Sequence, residues 1–430
     1  MAEVISSRFK NVEKPRASAS RAMTIRLTPI SGAASYNAGA NVQFNLPTQM
    51  RSNSFIDCNS SYLKYAVEHD ANGLCSLDIT GGGGLYSRVQ LLSQGSMITD
   101  INSYPAYRKL KTLEKVPHGF LENDGKVMLG MGSSLADNGR GESLVANTKR
   151  YMCDFLANLS PMFATNTYLP GFTGDNLRLV LQMENARNLG AFAPGTTAVE
   201  DSNVRFSNFE LVLRVVETTA ELTTKIIKLH DGMFKFMLDD VRHFSSSIPA
   251  GVSSFNTTIG CSFSSMTGIQ FVMTEPSSQT YLTYNNTWGK NDLLSYALLI
   301  DGQSFPLRRC MVDVDGAEAM CENRIMNHAL SNYDYYGNVN KTVFNANGPV
   351  NGSATVTPVA GFVGSTDLTV YSGKNSEIRS GLNVLASNCQ LDLAFGTSGA
   401  AHTLHIFTYF DSLVTLDFTE DSSHIYEISI

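Results

Sequence analysis

The feature that most constrains the fold is an order of predicted elements that occurs twice. Short alternating apolar runs come first, at residues 24–27, 42–46 and 62–67, separated by clusters of Gly, Asn, Pro and Ser. The glycine run Gly81–Gly84 follows, then an apolar run at 89–92 and a turn at Gly95 and Ser96. There the period changes. Tyr107, Leu110, Leu113 and Val116 recur at every third residue over 105–116, which predicts a short helix with Ser103 as its N-cap. A loop-rich stretch at 117–175 and two strands, 176–183 and 203–216, close this half.

The second half uses the same grammar. Strands are predicted at 234–238, 255–259 and 269–273, and a further one at 293–300 leads into the turn Asp301-Gly302. A helix follows, with Asp315 as N-cap and Glu318 at the spacing of a capping box. Its apolar stripe reads Ala317, Cys321, Ile325 and Ala329. A loop-rich stretch at 332–388 precedes closing strands at 389–395 and 403–410, with an extension at 413–418. Laid over each other, the halves place Gly95 on Gly302 and residues 176–181 on 388–393, an offset of about 210 positions that fits whole-domain duplication and exceeds any solenoid repeat.

Each half is then an all-β unit with one short helix and one long loop excursion, a description that suits an eight-stranded jelly-roll sandwich. The expected organisation is an N-terminal arm at 1–22, a first jelly roll at 23–220 and a second at 221–430.

Composition narrows the function. Charged residues make up only 17% of the chain, and the balance is filled by Ser, Asn, Thr and Gly, as in a loop-rich β protein. The net charge of −7 argues against a chain whose main task is gripping nucleic acid. Only the N-terminal segment 1–26 is basic, with Arg8, Lys10, Lys14, Arg16, Arg21 and Arg26 against Glu3 and Glu13. It lacks the long apolar run of a secretory signal, and no later stretch approaches the roughly 18 apolar residues of a membrane span. The cysteines are Cys58, Cys75, Cys153, Cys261, Cys310, Cys321 and Cys389; irregular spacing without a CxxC pair predicts buried free thiols. Six Asn-x-Ser/Thr sequons, beginning at Asn59 and Asn158, read as accidents of an Asn- and Ser-rich chain.

The motifs that invite chemistry fail on their details. Gly81–Gly84 is followed by Leu85-Tyr86-Ser87 where a phosphate loop needs Gly-Lys-Ser/Thr, so a flexible inter-strand loop is expected. His402 and His405 lie three apart, which in a strand turns them to opposite faces and away from a shared metal. Asp313 and Asp315 resemble the start of a calcium loop, but its twelfth position holds Arg324. Gly396-Thr397-Ser398-Gly399 is too short for a nucleophile elbow. No catalytic, cofactor-binding or metal residues are expected, and Trp288, the only tryptophan, is expected to be a core or interface anchor. The excursions hold Tyr151, Phe163 and Phe172 in one and Tyr335, Phe344 and Phe362 in the other; partner subunits are the expected cover for such aromatics.

The runs at 85–92 with Gly95 and Ser96, 206–213, and 295–306 with the helix after it carry a family resemblance. The chain resembles the double jelly-roll major capsid proteins of tailless double-stranded DNA viruses, the lineage of adenoviruses, tailless membrane-containing phages, virophages and Polinton-like viruses. That resemblance spans most of the chain from Thr24 onward and rests on the order of elements. It implies a virion protein made inside the host cell, without an active site. It implies homotrimers, pseudo-hexagonal capsomers packed against neighbouring capsomers in an icosahedral shell, and a separate vertex (penton) protein. The arm would face inward, to an internal membrane or the genome. The rival from another class is a carbohydrate- or receptor-binding β-sandwich, such as a viral spike or lectin-like module, with one roll and a concave aromatic patch. A cupin-type enzyme would need a His-rich metal motif inside its barrel.

Overall fold

A computed structural model describes residues 21–46, 53–71, 73–93, 96–132, 140–165, 169–170, 177–192, 199–229, 233–275, 288–312, 315–330, 344, 361–372, 379–396, 399–417 and 424–429. The arm up to residue 20 and Gly95 therefore lie outside the described residues.

The first strands are β1 (Arg21–Leu27), β2 (Ser35–Asn37), β3 (Asn41–Asn45), β4 (Ser54–His69), β5 (Leu74–Asp78), β6 (Tyr86–Ser93) and β7 (Ser96–Asn102). Helices α1 (Tyr104–Lys115), α2 (His118–Glu122) and α3 (Asp124–Leu129) come next. They precede β8 (Arg140–Val145), β9 (Arg150–Phe155), β10 (Leu169–Pro170), β11 (Leu177–Met183), β12 (Ala191–Phe192) and β13 (Val204–Glu217). After α4 (Ala220–Leu229) stand β14 (Met233–Ile248), β15 (Ser254–Ile259), β16 (Met266–Thr274), β17 (Leu293–Ile300) and β18 (Gln303–Met311). Helix α5 (Ala317–Leu330) is followed by β19 (Gly364–Asp367), β20 (Tyr371–Ser372), β21 (Arg379–Ser380), β22 (Cys389–Phe395), β23 (His402–Asp417) and β24 (His424–Ser429).

No sheet mixes strands from the two sides of α4. On the first side, one sheet runs β1-β13-β4-β10, with β9 also on β4, and the other runs β3-β11-β6-β7. On the second side the orders are β14-β23-β16-β19 and β15-β22-β17-β18. Position by position these are the same two sheets, so the strand order is duplicated and each half has the paired-sheet wiring of a jelly roll. The hairpin linking the last strand pair is also shared: Ser93 pairs with Ser96, and Ile300 with Gln303. In the second hairpin Asp301 and Gly302 have φ of 50° and 82°, the left-handed pair of a type I′ turn.

Side-chain alternation explains the sandwiches. In β22, Cys389, Leu391, Leu393 and Phe395 are buried while the residues between them are partly open, the signature of a strand with one core face. Strand β16 breaks this rule and is buried at every position, so something covers its second face as well.

Several expectations are corrected. The stretch 117–175 holds helices α2 and α3 and strands β8, β9 and β10; β9 extends the sheet beside β4 and β8 pairs with β5. The glycine run forms a buried 3-10 turn instead of a flexible loop. Added Cβ atoms would stand 2.2 Å from the Leu129 carbonyl oxygen at Gly81 and 2.4 Å from Thr80 Oγ1 at Gly84. Close approach, with φ +54° at Gly81, requires glycine there. Ser103 occupies the cap position of α1 at φ 51° but makes no side-chain cap bond. Glu318 turns its carboxylate to Arg308 and to the Met311 N–H of β18, 3.3 Å each, which ties α5 to that strand.

Candidate assembly surfaces

The cover on β16 is shared by α1 of the first half, through Glu114 on Gln270, and by α5, whose Asn323 also meets Gln270 and whose Met326 lies against Gly268. One side of α1 sends Tyr104, Leu110 and Leu113 into the first core, while Tyr107, Lys111 and Glu114 meet the outer face of the β14-β23-β16 sheet. The Tyr107 and Phe407 rings lie 6.1 Å apart, and Lys111 Nζ sits 4.3 Å over the Tyr409 ring. Gln270 is the polar centre of this junction. Its Nε2 donates to Glu114 Oε1 at 2.7 Å and to Asn323 Oδ1 at 3.2 Å, and its Oε1 accepts from Tyr409 Oη at 2.6 Å. Ser365 Oγ also donates to Asn323 Oδ1, at 2.8 Å. All five residues are buried, so α1 and α5 are registered on one glutamine. Leaving any partner unsatisfied costs about 1–3 kcal/mol, which makes the network a device for fixing orientation. Apolar packing runs continuously through the junction: Val241, Val272, Phe407 and Tyr409 belong to the same cluster as the first roll's core.

Two further contacts cross it. Lys109 of α1 is fully buried, with Nζ 3.2 Å from Asp78 Oδ2 and 4.7 Å from the centre of the Trp288 ring. Burial pushes its ammonium pKa down, and the neighbouring Asp78 carboxylate opposes that shift. Trp288 is thus buried at the junction, as a core or interface anchor should be. His243 and His405 stack with centroids 5.3 Å apart, Nε2 of the first 3.1 Å from Nδ1 of the second. The Oγ1 of Thr274 lies 3.3 Å from His405 Nε2, and Ser103 Oγ 3.5 Å from its Nδ1. Burial pushes His243 down to about 3, helped by His405, and His405 to about 4. Burial also lifts the nearby Asp240 to about 7.

Other surfaces stay open. The outward side of α5 carries Ala317, Cys321 and Ile325, the stripe expected to be buried; Ala319, Asn323 and Met326 face inward instead, and Ala329 lies outside the described side chains. The phase of the helix is set by Asn323, which the Gln270 network draws inside. On β18, Leu307 is 98% exposed and Met311 50%. The outer face of β1, β13 and β4 is polar, with Arg26 and Lys64 sharing Glu210 at 3.6 and 3.4 Å and with Arg205 and Arg214 exposed. Phe163, Phe344 and Phe362 of the excursions are buried within the chain, so partner subunits are not their cover, whereas Tyr151 is half exposed. Phe172 and Tyr335 lie outside the described residues.

Among the described residues, no three of His, Cys, Asp or Glu come together as a metal site. His402 and His405 do not meet; only His405 joins the junction. Five cysteines are buried, Cys153 is partly open and Cys321 is exposed, against the expectation of buried thiols throughout. No helix among the described residues is long and apolar enough to cross a membrane.

Solved structures share this arrangement over nearly its full length. The PBCV-1 virus capsid protein aligns over 98% of this chain and 100% of its own, with a TM-score of 0.62 at 12% identity. The Faustovirus major capsid protein aligns over 96% and 92%, with 0.60 at 10%. The mavirus major capsid protein aligns over 99% and 94%, with 0.54 at 11%. The chain has the double jelly-roll fold. No family model matches the sequence, and no curated protein does either, so the double jelly roll is visible in the backbone's wiring and not in shared residues.

Proposed function

We propose that this double jelly roll is a major capsid protein, a structural subunit of an icosahedral virus shell without enzymatic activity. The observation that carries the reading is the duplicated roll with a buried, hydrogen-bonded in-chain junction, aligned end to end with the PBCV-1 capsid protein. The first roll spans 23–220 and the second 221–430, with α4 at the boundary. Three copies supply six rolls to a pseudo-hexagonal capsomer, capsomers tile the shell, and a separate vertex protein fills the five-fold positions. The protein is made in the host cell and resides in the virion. The basic arm, residues 1–22, faces inward to a membrane or the genome. A carbohydrate- or receptor-binding sandwich was expected to show one roll, and the duplicated sheets count against it. Light scattering tests the reading: purified protein should give three times the 46.8 kDa chain mass and hold it on dilution. A monomer stable at micromolar concentration would remove the main support.

A further inference from the structure

Two of the seven thiols meet in the second roll. Strand β15 ends at Ile259, whose register partner on β22 is Cys389. Past that pair the chain turns back at once, with the Cys261 N–H donating to the Ile259 carbonyl oxygen at 2.7 Å. The turn keeps Cys261 beside the start of β22, where its thiol donates a hydrogen bond to the Cys389 sulfur. Both side chains belong to the core of the roll, yet they stand at its rim. Gly260 and Ser262 on either side of Cys261 are exposed. So are Asp301 and Gly302, the turn of the hairpin whose Ile300 pairs with Cys389 from the other side.

Burial makes a thiol inert, because the thiolate is the reactive form. It pushes Cys58 up to about 12, helped by Asp57, and pushes Cys75 up as well. Cys389 differs. The hydrogen bond from Cys261 holds it below the ordinary thiol value against the opposing effect of burial, and the same bond, with burial, raises Cys261. The pair therefore gives up its first proton from Cys389 and keeps the second on Cys261. Arg242 of β14 favours negative charge at Cys261. A nucleophilic sulfur and a second sulfur in contact with it are the two parts that disulfide formation requires.

We propose that Cys261 and Cys389 form a latent disulfide that a peroxide closes in the folded protein. The Cys389 thiolate attacks one peroxide oxygen, the O–O bond breaks, and Cys389 becomes a sulfenic acid. The hydroxide that leaves takes up the proton Cys389 released. The Cys261 sulfur then attacks the Cys389 sulfur, the S–S bond forms, and the hydroxyl group departs as water with the Cys261 proton. Two thiols are oxidised, one peroxide is reduced and two waters form. The bond ties β22 to the connection after β15 and closes a loop that holds α5. In a shell protein made in a reducing cell it closes after release; that timing alone rests on the capsid reading. The test uses the full chain with Cys153→Ser and Cys321→Ser, which removes the two more open thiols. Folded protein is treated with hydrogen peroxide, quenched, then denatured, alkylated and digested. The expected product is a linked peptide pair holding Cys261 and Cys389, with a melting temperature about 10 °C above that of the reduced chain, both reversed by dithiothreitol. Adding Cys261→Ser keeps a hydroxyl donor and removes the second sulfur, so a sulfenic acid should accumulate at Cys389 and be captured by dimedone. Cys261 and Cys389 both alkylated after peroxide, or linked only when urea is present during oxidation, overturns the proposal. An unmodified Cys389 in the Cys261→Ser chain overturns it too.

Discussion

Lys109→Met isolates the junction's electrostatics. The substitution keeps most of the stem and removes the ammonium, leaving the Asp78 carboxylate, whose side chain is only 11% exposed, without its cation. Stranding one member of a buried pair costs about 3–5 kcal/mol. Losing the cation from the face of Trp288 adds about 0.5–2 kcal/mol. For a roll-sized unit at about 2–4 °C per kcal/mol, the first loss alone lowers the melting temperature by roughly 6–20 °C. Trp288 is the only tryptophan, so its fluorescence follows the junction during thermal or urea unfolding, at fixed protein concentration to hold assembly constant. Asp78→Asn in the same chain should restore most of the stability, since the amide oxygen can still accept from the Ile79 N–H that Asp78 Oδ1 now accepts at 2.8 Å. A Lys109→Met loss below about 1 kcal/mol, or an Asp78→Asn change that deepens it, would refute a strong buried pair.

Three other perturbations probe separate parts of the fold. His243 and His405 have folded pKa values of about 3 and 4, below the unfolded value near 6.5, so their stabilisation is present above pH 6.5 and is lost as pH falls toward those values. At pH 5 each contributes a loss of about 2 kcal/mol, and denaturation profiles of His243→Gln with His405→Gln should flatten between pH 6.5 and 4.5. Asp240, raised to about 7, works in the opposite direction, so Asp240→Asn should steepen the profile. Gly81→Ala should lower the melting temperature more than Gly32→Ala: both have positive φ, but only Gly81 has a carbonyl oxygen 2.2 Å from the new Cβ while Gly32 has open space. Equal effects would show that conformation alone is at work.

The long strands and their order were legible because one-sided burial imposes period two, as in β22, and because the same order occurs twice. Strands β9 and β19 were not legible. They are short, and they exist through pairing with β4 and β16, which lie far away in the sequence. The glycine run misled because local text shows conformational freedom and not the Leu129 carbonyl packed against it. The face of α5 was misread because its apolar period points outward, while Asn323, a residue that sequence patterns place outside, is held inside by Gln270 and Ser365. Gln270, Glu114 and His243 carried no sequence signal, and His405 was weighed only as a partner of His402, since a buried polar residue is recognised only once its partners are placed.

Electron microscopy of negatively stained, purified protein tests the central claim most directly. The account predicts particles of three chains whose end-on averages show a closed ring of six lobes in a pseudo-hexagonal outline, one lobe for each jelly roll. Isolated two-lobed particles at the same concentration would contradict it.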